Sequence, residues 1–156
     1  GADGTFNKEL LNGYLNSGPA SWSPWTTESS VTLSQIIAQG AAYEVIVYFS
    51  SDFAGREGTV TDGTTTYYFN TLGPDSVAGE NAVFAQAADT TEAGYLVGAN
   101  YAVFSGLSGS DQTITVQMRD EDEWGGIAGV QVVGVVPEPA TMLLLGFGGL
   151  LMRKRK

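Results

Sequence analysis

Apolar and polar residues alternate without a break from Gln112 to Met118, with Ile114, Val116 and Met118 on one face and Thr113, Thr115 and Gln117 on the other. A period of two predicts a half-buried strand. Ala42–Ser50 is instead almost continuously β-branched and aromatic, the pattern of a central strand covered on both faces. Ser29–Ile37, Gly58–Asp62, Thr64–Asn70, Ala82–Ala88, Gly94–Val97, Asn100–Ser105 and Gly126–Val136 supply the remaining strand-like runs. Asp62-Gly63 predicts a tight hairpin between Gly58–Asp62 and Thr64–Asn70. Helical spacing occurs in Phe6, Leu10, Leu11, Tyr14 and Leu15, which predicts a short amphipathic helix over Thr5–Asn16, kept brief by Asn12-Gly13. Ser17–Ser30 reads as a Ser/Thr/Pro-rich loop. About eight short strands with turn residues between them predict an all-β sandwich or barrel, and no alternation of strand and helix points to an α/β fold.

Length and composition narrow this further. A chain of 156 residues accommodates one domain with a hydrophobic core and a tail. The division expected is a β-sandwich domain over 1–134 and a tail over 135–156. Cysteine and histidine are both absent. That excludes a disulfide framework, a thiolate nucleophile, a Ser-His-Asp triad and an ordinary zinc site. Catalysis would have to rest on carboxylates, Lys or Tyr. Because no spacing singles out one pair of carboxylates, the expectation is a protein that is not an enzyme.

Charge is distributed unevenly. The formal net charge is −10, yet four of the seven basic residues are Arg153, Lys154, Arg155 and Lys156. Residues 1–136 hold only Lys8, Arg56 and Arg119 against sixteen acidic residues, a net −13. So acidic a body lacks the footprint that nucleic acid requires.

The tail has three parts. Pro137-Glu138-Pro139 ends the preceding strand and holds an extended, protease-accessible segment, since proline fixes φ and disfavours helix before it. Ala140–Met152 (ATMLLLGFGGLLM) is apolar and interrupted by glycine. As a helix it would reach only about 20 Å, against roughly 30 Å of bilayer hydrocarbon, which suits a transient membrane handle better than a permanent anchor. The basic cluster Arg153–Lys156 sets orientation by staying on the cytoplasmic side. This order of parts resembles the PEP-CTERM sorting signal read by exosortase, an integral membrane enzyme. The resemblance implies Sec export, recognition and cleavage near the motif, and release or attachment at the surface of a Gram-negative-type bacterium that makes exopolysaccharide or a biofilm matrix. A secretory signal peptide is then expected ahead of Gly1.

The body has a resemblance of its own. YEVIVYFSSDFAGREGTVTDGTTTYYF, NYAVFSGLSGSDQTITVQ and GIAGVQVV resemble a jelly-roll domain of exported planctomycete-type and related bacterial proteins, similar in architecture to galactose-binding-like carbohydrate modules. It implies a jelly-roll sandwich of about eight antiparallel strands; the short helix before it and a membrane-handle helix after it are expected from the spacing and the tail described above.

Three constellations carry candidate chemistry. Trp22, Trp25 and Trp124 lie in loops, where aromatic faces stack on sugars or cap a sandwich core. The run Asp120-Glu121-Asp122-Glu123 supplies hard oxygen ligands, so Asp120 and Asp122 are the calcium candidates. It lacks the alternation of an EF-hand loop, and a solvated acidic turn is the plainer reading. Asp52 and Arg56 bracket Phe53-Ala54-Gly55, which predicts an ion pair pinning that loop. The function expected is polysaccharide binding by the sandwich, with no cofactor unless Ca²⁺. The alternative is a structural subunit that self-assembles into a surface layer or filament.

Overall fold

The computed structural model describes residues 10–11, 13–15, 17–18, 26–36, 42–77 and 82–134. Among these, eight strands form two sheets that close on one core: β1 (Glu28–Leu33), β2 (Tyr43–Ser50), β3 (Glu57–Thr61), β4 (Thr66–Thr71), β5 (Gly98–Ala99), β6 (Tyr101–Leu107), β7 (Gln112–Met118) and β8 (Gly126–Gly134). A five-stranded sheet runs β1-β7-β3-β4-β5, and a three-stranded sheet runs β6-β2-β8. All pairings are antiparallel except β4 with β5, which is parallel. The chain is therefore a mostly β, sandwich-like domain. None of the described helices is long and apolar enough to cross a membrane. Of the helix expected over Thr5–Asn16, Leu10 and Leu11 are helical, but Gly13, Tyr14 and Leu15 are not, because the Leu15 amide bonds instead to Ile127 O (2.7 Å) on β8; the rest of that segment and the membrane-handle segment 140–152 lie outside the described residues.

Alternation places the core. β7 buries Ile114, Val116 and Met118, while β2 buries Tyr43, Val45, Val47 and Phe49. Phe49 stacks on Phe69 of β4 with ring centroids 3.9 Å apart, joining the two sheets at the centre. Gly58 makes room for that stack, because a Cβ there would stand 2.6 Å from the Phe69 ring. β2 is the central strand of its sheet, but its second face is only half covered, with Glu44, Ile46 and Tyr48 of intermediate burial. The expectation of cover on both faces is corrected accordingly: the three-stranded sheet has one face in the core and one partly open.

Other boundaries shift for local reasons. β1 stops at Leu33, four residues short of the predicted Ile37, and Gln35 just beyond it has φ +57°. The β3–β4 connection is a four-residue turn, not a two-residue hairpin. Its Asp62 Oδ1 accepts from the amides of Thr64 (2.9 Å) and Thr65 (2.6 Å), and Gly63 takes φ +88°. Ala82–Ala88 is not a strand. It runs as a loop held by Asn100, a buried side chain whose Oδ1 accepts from Ala85 N (3.0 Å) and whose Nδ2 donates to Val83 O (3.0 Å). Gly94–Val97 is not a strand either, because Glu92–Leu96 forms a 3₁₀ turn capped by Thr91.

The Tyr43 hydroxyl is buried without a hydrogen-bond partner among the described residues. An unpaired hydroxyl costs desolvation free energy and returns nothing. Tyr43→Phe is therefore expected to raise stability, by about 1–3 kcal/mol. A urea midpoint that falls on this substitution would show that the hydroxyl is satisfied in solution.

Pairing also defines two ends of the sandwich. β8 enters beside Ser50 and leaves beside Tyr43. The end where it leaves carries the 62–65 turn, the 108–111 loop and the segment after Leu33, tied together by Gln112 Nε2 to Asp62 O (2.9 Å) and Ile36 N to Ser110 O (3.0 Å). The opposite end carries loops 51–56 and 119–125.

Candidate functional site

On the outer face of the five-stranded sheet, register aligns side chains that are far apart in sequence. Ser30, Thr115, Thr61 and Thr66 form one row across four strands, and Glu28, Gln117, Thr59 and Tyr68 form the next. The first row is a set of paired hydroxyls: Ser30 and Thr115 are 2.8 Å apart, and Thr66 donates to Thr61 at 3.0 Å. A cleft of about 450 Å³ opens over Thr59, Thr61, Thr66, Tyr68, Gln117 and Arg119, with Glu92 and Tyr95 on its far wall.

The 3₁₀ turn places Tyr95. Asp89 Oδ1 accepts from the Thr91 amide (2.9 Å) and hydroxyl (2.7 Å), which holds the Asp89 carboxyl below its usual range. Gly94 then packs on the Tyr68 backbone, where a Cβ would come within 2.5 Å of the Tyr68 carbonyl oxygen. Asn70 Nδ2 donates to Tyr95 O (3.2 Å). Tyr95 consequently meets Tyr68 edge-on at 5.1 Å, and the Arg119 guanidinium lies 4.4 Å from the centre of its ring. Burial pushes the Tyr95 hydroxyl up, opposed by the Arg119 charge. Arg119 also forms an ion pair with Glu57, and that hydrogen bond is the main reason its own pKa is raised.

Arg119 and Glu57 border a second cleft, of about 730 Å³, lined by Gly55 and Asp120–Glu123 at the end of the sandwich where loops 51–56 and 119–125 meet. The acidic run is a turn: Asp120 Oδ1 accepts from Asp122 N (3.0 Å), and Asp120 O accepts from Glu123 N (3.2 Å). Burial raises the Glu123 carboxyl, against the pull of Arg56. Among the described residues no group of three or more acidic side chains is placed to hold a metal ion.

The bracketing pair Asp52 and Arg56 does not form the expected ion pair. Arg56 Nη1 donates to the Trp124 carbonyl (2.6 Å), and its guanidinium covers Phe53 at 5.1 Å. Asp52 instead accepts from the Tyr14 hydroxyl (2.5 Å). The loop is pinned through other partners because both side chains reach outward to neighbouring segments. Burial and the Asp52 hydrogen bond raise the Tyr14 pKa well above its ordinary 10.0. The folded state thus keeps the Tyr14 proton more tightly than the unfolded chain, a contribution present in full below pH 10 and lost as pH climbs past it. Tyr14→Phe is expected to flatten the loss of stability seen above pH 10 in a urea series, whereas an unchanged alkaline profile would place that loss elsewhere.

Of the sequence candidates, Trp124 is half-buried beside the acidic turn, while Trp22 and Trp25 lie outside the described residues. Tyr68, Tyr95 and Arg119 were not candidates. The available signals were the outward position of Tyr68 in its strand and the Gly94-Tyr95 pair, both visible only once the register is known. The sorting elements Pro137–Pro139 and Arg153–Lys156 also lie outside the described residues.

The chain matches none of the curated proteins with which it was compared. Residues 135–156 match the PEP-CTERM protein-sorting motif, which implies exosortase processing and an exported protein of the cell envelope.

Proposed function

We propose that this is a Sec-exported protein of a Gram-negative-type bacterium, sorted by exosortase to the cell surface or extracellular matrix, whose sandwich binds polysaccharide without catalysing its turnover. The observation that carries the binding reading is the cleft over the five-stranded sheet, where Tyr68 and Tyr95 stand beside rows of hydroxyl and amide side chains. Ser, Thr and Gln offer donors and acceptors together, which matches a polyhydroxylated chain. Tyrosines add apolar ring area with a polar tip. A row of four residues across four strands covers about 14 Å, enough to meet more than one sugar ring. The five-on-three arrangement of sheets also supports kinship with galactose-binding-like jelly-roll modules, an argument from fold alone.

A glycan array followed by pull-down on insoluble polysaccharide tests this. Tyr95→Ala removes one wall of the cleft and the surface on which Arg119 lies, so retention is expected to weaken at least tenfold, equivalent to about 1.4 kcal/mol. EDTA is expected to leave retention unchanged, since the cleft needs no ion. Retention by Tyr95→Ala equal to that of the unaltered protein would sink the assignment, and loss of retention in EDTA would move the site to Asp120 and Asp122.

A second reading, assembly into a surface layer or filament, is favoured by the edge strands β1 and β8 and by Leu96, which is 87% exposed. Concentration-dependent scattering without glycan retention would select it.

A further inference from the structure

The last strand leaves almost no slack before the sorting motif. Gly134 is still paired with Tyr43, and the motif begins at residue 135. Fully extended, the chain from Gly134 to Ala140, where the apolar run starts, spans at most about 20 Å. Lipid headgroups occupy roughly 5–7 Å of that on one side of the bilayer. While the tail is in the membrane, the body cannot stand clear of it or turn freely.

We infer that the end of the sandwich from which β8 leaves, built from the 62–65 turn and the 108–111 loop, faces the bilayer surface before processing. Both clefts then open away from that surface or sideways to it. The inference rests on the reading of 140–152 as a membrane handle. The opposite end carries Asp52, Glu57 and Asp120–Glu123 together with Arg56 and Arg119, and the β8-exit end carries Glu44, Asp62 and Asp111, so the tether and not charge sets the orientation. Along β8 the two ends are about 26 Å apart.

The absence of cysteine makes the test direct. Single variants Thr64→Cys and Ser108→Cys mark one end, and Ala54→Cys and Glu121→Cys mark the other; all four positions are exposed. Each full-length variant carries a bimane label and is reconstituted into vesicles of phosphatidylethanolamine and phosphatidylglycerol doped with headgroup spin-labelled lipid. Quenching is expected to be several-fold stronger at positions 64 and 108 than at 54 and 121. A twenty-residue Gly/Ser insertion after Gly134 should erase the difference. Equal quenching at all four positions in bound protein overturns the orientation while leaving the membrane handle intact. A full-length chain that stays off the vesicles overturns both.

Discussion

Protein recovered from the surface of a host that carries exosortase is expected to have lost everything beyond the Pro137-Glu138-Pro139 region, and Pro137→Ala with Glu138→Ala is expected to abolish that loss. The effect should approach all or none, because the tail works as an ordered set of parts. On the proposed reading the prolines, which fix φ and lack an amide donor, disfavour helix and ladder pairing after β8. In the same reading the apolar run would hold this segment at the membrane, and the basic end would keep the body on the outer side. Replacing the first part leaves a chain that still reaches the membrane but presents no motif. Intact-mass analysis of the surface and membrane fractions reads the outcome directly. Unaltered protein that reaches the surface with residues 140–156 attached would mean that the tail is a plain anchor.

Phe69→Ala is expected to cost about 3–5 kcal/mol, the range for truncating a fully buried phenylalanine. That is a large share of the roughly 5–15 kcal/mol by which domains are stable. In a domain of this size it corresponds to a fall in Tm of roughly 10–20 °C. Phe69 earns this position through its stack on Phe49, the contact that joins the two sheets at their centre. Phe69→Leu should cost much less, since most of the volume is kept. The check is a urea midpoint measured at constant m-value for both variants; equal midpoints would mean that the stack contributes little beyond apolar area.

The strands that the sequence shows most clearly are those whose burial is decided by alternation along a single segment. β7 spans Gln112–Met118 as its pattern indicates, with Ile114, Val116 and Met118 inside. Gly94–Val97 and Ala82–Ala88 carry strand-like patterns but form no strand. Glu92–Leu96 curls into a 3₁₀ turn because Thr91, itself held by Asp89, accepts from the amides of Ala93 and Gly94, and Gly94 allows close approach to Tyr68. Ala82–Ala88 meets β6 only at an isolated bridge between Gln86 and Tyr101, because the Asn100 side chain takes up the Ala85 amide and the Val83 carbonyl. In the loop after β2, adjacency in sequence suggested Asp52 and Arg56 as a pair, yet each found a partner more distant along the chain.

The sorting motif is legible by itself because its information is contiguous: Pro-Glu-Pro, an apolar run and a basic end follow one another along residues 135–156, with no partner elsewhere in the chain needed to recognise them. The mostly β character and the core faces were legible for the same reason, since alternation is a local property. The cleft was not. Tyr68 with Tyr95, Arg119 with Glu57 and Ser30 with Thr115 are brought together by strand register and by one capped turn. Those pairings exist only after β1, β7, β3 and β4 have aligned, because hydrogen-bonded ladders, not spacing along the chain, decide which side chains stand next to one another.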